Sequence, residues 1–137
     1  MTELAHSSGN NTKLTRLLGA ALTVSGCFLF ALYLLYLPFP HVFDVGVITD
    51  TGLALYGLAS AGCALVAWGN ILVSLNGASV KQSAILKASA WGFLMLGFMR
   101  VGTAVFPHAP FDDLRIVAII ECTLFIVIAF KLFRSAQ

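Results

Sequence analysis

The sequence predicts an all-α integral membrane protein, an up-down four-helix bundle, and three observations carry that expectation. Of its 137 residues, 59% are apolar and only 10% are charged, with a mean hydropathy of +0.93, whereas soluble domains carry about 25% Asp, Glu, Lys and Arg. Four apolar stretches each reach the roughly 20 residues that a helix needs to cross the hydrocarbon core. Pro, Gly, Asn and Asp gather between these stretches, where helices stop and start. A chain of this length leaves no room for a separate soluble domain beside four spans.

Residues 1–12 are polar and lack periodicity, with His6, Ser7, Ser8, Gly9, Asn10 and Asn11 in succession, so they are expected to form a mobile tail. The long apolar run over 17–37 that follows is unlike the short core of a cleavable signal. The membrane domain is placed at 13–134, with spans at about 14–37, 51–75, 82–106 and 112–133. Pro38 and Pro40 stop the first span, and Pro107 and Pro110 the third, because proline cannot donate into the helix ladder. Thr49, Asp50 or Thr51 can cap the second span, Asn76 and Gly77 suit a turn after it, and Asp112 can cap the fourth.

Lys and Arg near span ends are retained in the cytoplasm. Lys13, Arg16, Lys81, Lys87, Lys131 and Arg134 all fall on one side if both termini are cytoplasmic, leaving Arg100 and Arg115 toward the other. The two loops on that other side hold Asp44, Asp50, Asp112 and Asp113. Asn10-Asn11-Thr12 matches a glycosylation acceptor, but this topology puts it on the cytoplasmic side, where the pattern has no meaning. A net charge of +2 with dispersed basic residues points to no nucleic-acid partner.

The outer loops echo one another: Phe39-Pro40-His41-Val42-Phe43-Asp44 and Phe106-Pro107-His108-Ala109-Pro110-Phe111-Asp112. Two readings stand side by side. One is two tandem helical hairpins in the same orientation, which would make Tyr33 equivalent to Arg100. The other is separate origin, since Phe anchors at an interface, Pro ends a helix and Asp begins one. The stripe Ala54, Gly57, Ala61 and Ala64 has helical spacing and side chains small enough for close helix packing.

Arg100 and Glu121 are the charges inside spans, and each costs about 2.5 to 3.5 kcal/mol at the bilayer centre unless compensated. They are expected about 9 and 13 Å below the outer helix ends, on antiparallel neighbours, and so to form an ion pair. That pair is either a clip that sets helix rotation and register or the locus of a binding site. Tyr33, Tyr56 and Thr103 share the outer half and join Arg100 and Glu121 as candidate ligand-binding residues; an interfacial aromatic belt also accounts for tyrosines there. His41, Asp44, His108 and Asp112 are weaker candidates for metal ligands, with solvated loop residues the plainer reading. No haem or other cofactor is expected, since neither loop histidine lies within a span. Cys27, Cys63 and Cys122 stand singly in apolar stretches and read as small packing residues.

Gly97, the intramembrane Arg100, the Pro-containing outer turn and Glu121 with its apolar run and basic end, together with Tyr56-Gly57, resemble a small bacterial family of four-helix membrane proteins of unknown function, DoxX-like in the broad sense. The arginine that such proteins carry near the start of the second helix is absent here, where Gly52 and Leu53 stand. The resemblance implies a four-helix fold in a bacterial cytoplasmic (inner) membrane. The expected role is a non-enzymatic accessory or binding protein for a lipid-like or small amphipathic molecule, with the bilayer and a homodimer or larger membrane complex as partners. A proton-linked transporter acting as a homodimer, with Glu121 as coupling group, and an outer-face metal-dependent enzyme using His41 and His108 remain the alternatives.

Overall fold

A computed structural model describes residues 2–43, 50–75, 82–106 and 115–137, with side chains described from residue 12. Helix α1 spans Thr2–Tyr36, a short 3-10 turn follows at Pro40–Phe43, and α2, α3 and α4 span Thr51–Ser74, Gln82–Val105 and Arg115–Ser135. No strand occurs among the described residues. All four helices are long and apolar enough to cross a membrane.

The helix ends at Tyr36, Thr51 and Ser74 have local causes. Pro38 has no N–H, so the α-helical bond from Leu37 N–H to the Tyr33 carbonyl (3.2 Å) is followed by a tighter turn bond from Phe39 N–H to the Tyr36 carbonyl (3.1 Å). Among the three possible caps of α2, Asp50 is used, its Oδ1 accepting from Leu53 N–H at 3.0 Å. At the far end of α2 the Leu75 carbonyl accepts from Arg16 Nε at 3.4 Å, tying α1 to the end of that helix. The Asn76-Gly77 turn, Pro107, Pro110 and the Asp112 cap lie outside the described residues.

One limit differs: α1 begins at Thr2, so the polar stretch expected as a tail has helical backbone. Its composition lacks an apolar face, but a helix already nucleated by the following span elongates without a new nucleus.

Helix α1 packs chiefly on α2, α4 on α3, and the two hairpins meet through α2 and α3, with α1 touching α3 lightly. Glycine sets the α1–α2 distance. A Cβ on Gly19 would lie 2.7 Å from the Gly69 carbonyl oxygen, and one on Gly62 would lie 2.6 Å from the Gly26 carbonyl oxygen. Gly19 and Gly26 are therefore one antiparallel register with Gly69 and Gly62, and no other residue fits at that backbone approach. The stripe expected to pack, by contrast, turns outward: Gly57, Ala61 and Ala64 are exposed, and a Cβ on Gly57 meets nothing within 4 Å. Packing on α2 falls instead on Gly52, Ala59, Gly62, Cys63, Val66 and Gly69. The α3–α4 contact is aromatic, with Trp91 against Phe133 and Phe93 against Phe125 at 5.7 and 6.0 Å between ring centroids.

Polar side chains within the helices mostly satisfy themselves on their own backbone. Thr23 donates to the Gly19 carbonyl, Ser60 to Tyr56, Asn70 to Val66 and Thr123 to Ile119, at 2.8 to 3.0 Å. The outer surface is apolar. Leu17, Val24 and Phe28 on α1, and Ile116, Ile120 and Phe130 on α4, are exposed, a surface suited to acyl chains and too large for water.

Candidate functional site

Arg100 lies five residues before the end of α3, and Glu121 six after the first described turn residue of α4. At 1.5 Å per residue they sit about 7.5 and 9 Å from those ends. The two side chains meet across α3 and α4. Arg100 Nη2 stands 2.7 Å from Glu121 Oε2, with the two side chains 20% and 34% exposed. The contact is an ion pair by distance without the alignment of a hydrogen bond: Glu121 Oε2 and Arg100 Nε are both buried and make no hydrogen bond.

Tyr56 supports the cation from below, its ring centroid 4.8 Å from Arg100 Cζ, a cation–π geometry. Tyr33 packs edge-on against Tyr56 at 5.8 Å and beside Tyr36 at 6.5 Å. The Tyr33 hydroxyl lies 2.8 Å from Thr103 Oγ1, and Thr103 gives its single proton to the Met99 carbonyl at 2.9 Å. Tyr33 is therefore the donor in the first bond. Tyr33 and Met99 are 0% exposed and Thr103 3%, so this relay holds α1 against α3 in the core of the site.

An open pocket of about 290 Å³ faces the ion pair. Tyr56, Arg100, Thr103 and Glu121 supply its polar wall, and Leu53, Val117 and Ala118 its apolar one. All five residues expected at a site are thus neighbours: four line the pocket and Tyr33 stands behind Thr103. The metal candidates fare differently. His41 is exposed in the 3-10 turn, while Asp44, His108 and Asp112 lie outside the described residues. Among the described residues no group of three or more His, Cys, Asp and Glu could hold a metal ion.

Comparison with known protein families, curated proteins and solved structures finds no match.

Two features escaped the sequence reading. Met99, next to Arg100 in the chain, is the carbonyl partner of Thr103 and a thioether neighbour of Ser60, 3.9 Å from its hydroxyl. A second cleft of about 250 Å³ between α2 and α3 is lined by Ser60, Cys63, Ala67, Trp68, Phe93 and Leu96, among others. The signal for it was present: Ser60, Cys63 and Ala67 continue the Tyr56 face at helical spacing. Chemically, the paired charges present donors and acceptors together with no net charge. That suits a polar group able both to accept from the guanidinium and to donate to the carboxylate.

Proposed function

We propose that this chain is a multi-pass protein of a bacterial cytoplasmic membrane, with both termini inside, that binds a lipid-like or small amphipathic molecule at the Arg100–Glu121 pocket. The observation that carries the reading is the pocket itself. A cation and a carboxylate held at membrane depth border an open volume. A clip between helices needs the pair but not the vacant space beside it. Lys13, Arg16, Lys87, Lys131 and Arg134 lie toward the helix ends that carry the termini, which supports placing that end in the cytoplasm and the pocket in the outer leaflet.

Native mass spectrometry of the protein extracted from its own membrane tests the reading. The wild-type chain is expected to retain a lipid-sized adduct that the Arg100→Gln/Glu121→Gln double variant loses. Equal retention by a folded double variant would reduce the pair to a clip.

A further inference from the structure

The charged pocket and the α2–α3 cleft are separate cavities that follow one another along α2 and α3. Along α2 the lining residues are Leu53 and Tyr56 in the pocket, then Ser60, Cys63, Ala67 and Ile71 in the cleft. Along α3 they are Thr103 and Arg100, then Leu96, Phe93 and Ser89. These residues succeed one another at steps of three or four, with Ala64, Trp68 and Gly92 beside them in the cleft wall, so each series follows a single helix face.

Resting on the binding reading above, we infer that the occupant is a single-chain amphiphile with an uncharged head bearing a carbonyl and a hydroxyl, its chain lying along the α2–α3 cleft toward the end that carries the termini. The head follows from the pair. An anion would bring its charge beside Glu121, and a cation beside Arg100, each leaving a net charge in low dielectric. A head with an acceptor and a donor leaves none and can pair with both side chains where they line the pocket.

The chain follows from the cleft. From Tyr56 to Ile71 the helix rises about 22 Å, well over half of the roughly 30 Å hydrocarbon core. The Ser60 hydroxyl on that wall is already committed to the Tyr56 carbonyl, at 2.9 Å, which leaves the cleft apolar there. Its volume of about 250 Å³ is spread over the roughly 16 Å rise from Ser60 to Ile71, whereas a helix about 10 Å across would fill on the order of 1,000 Å³ over that length. A second helix can lie over the cleft but cannot enter it; an alkyl chain can.

The test uses the full chain in nanodiscs with two photoreactive lipids of equal chain length, a monoacylglycerol and a fatty acid, each carrying a diazirine at the chain end. Adducts are mapped by peptide mass spectrometry. The monoacylglycerol is expected to label 63–71 and 89–93 about ten-fold more than the fatty acid does, and to fall to background in Arg100→Gln and in Ala64→Phe. The second variant adds bulk at an exposed position bordering the cleft and spares the ion pair. Equal labelling by the two lipids would overturn the uncharged head. Chain-end adducts spread over the exposed faces of α1 and α4, together with an adduct still retained in an Arg100-dependent way in native mass spectrometry, would overturn the chain track and leave the pocket reading standing. Loss of Arg100 dependence in both measurements would remove the pocket reading and this inference with it.

Discussion

Thr103 has one proton and commits it to the Met99 carbonyl, so the Tyr33 hydroxyl depends on Thr103 as acceptor. The dependence is one-sided. Thr103→Val leaves a fully buried phenol without a partner and is expected to cost about 1 to 3 kcal/mol. Tyr33→Phe removes the donor and leaves Thr103 bonded to Met99, costing about 0.6 kcal/mol, the usual worth of a hydrogen bond between membrane helices. Denaturation in mixed micelles measures both; equal losses would contradict the assigned donor. The ion pair has a different signature. Replacing either Arg100 or Glu121 by Gln strands a charge at membrane depth, at about 2.5 to 3.5 kcal/mol, whereas replacing both strands none. The double variant is therefore expected to be more stable than either single one in the same assay, and strict additivity would show that the two side chains are not coupled.

Helices α1 and α2 approach through glycines spaced seven apart, Gly19 and Gly26 against Gly69 and Gly62. Gly26→Ala would place a methyl against the Gly62 carbonyl oxygen, a contact that only backbone separation relieves, and overpacking of this kind costs about 1 to 3 kcal/mol. Gly57→Ala meets open space and is expected to leave stability unchanged or raise it by up to about 1 kcal/mol through helix propensity. Thermal unfolding in detergent of these two variants, each against wild type, separates the outcomes, and a loss at Gly57 equal to that at Gly26 would refute the interface. The glycine register also shows where sequence stops being legible. Span limits could be read because Pro38, Asp50 and the apolar runs act on their own helix. The Arg100–Glu121 pair could be read because two charges in apolar spans have few ways to be neutralised. The packing face of α2 could not: Gly57, Ala61 and Ala64 have the same small side chains as Gly62 and Gly69, and only the rotation of the helix against α1 decides which set is buried. The α2–α3 cleft was hidden for the same reason, since it belongs to a pair of faces and to neither helix alone.

At the scale of the molecule, two antiparallel hairpins meet through α2 and α3, and their chemistry is divided between the ends. The end with the α1–α2 connection holds Asp50, the tyrosine cluster and the ion pair; the other holds Lys13, Arg16, Lys87, Lys131 and Arg134. The likeness between the hairpins is in their loops more than their packing, because glycine backbones meet between α1 and α2 while aromatic rings meet between α3 and α4. The division of charge has a consequence that can be measured in intact cells. On the proposed topology the end with these five basic residues is held in the cytoplasm and the 3-10 turn is on the outer side. The three cysteines are free, so a cysteine-less background is made by replacing Cys27, Cys63 and Cys122 with Ala, and single cysteines are then introduced at exposed Val42, in the 3-10 turn, or at Ser135, at the end of α4. A membrane-impermeant maleimide is expected to label Val42→Cys in intact spheroplasts and Ser135→Cys only after permeabilisation. The opposite pattern would invert the topology, moving the Arg100–Glu121 pocket to the cytoplasmic leaflet and requiring its amphiphile to be drawn from there.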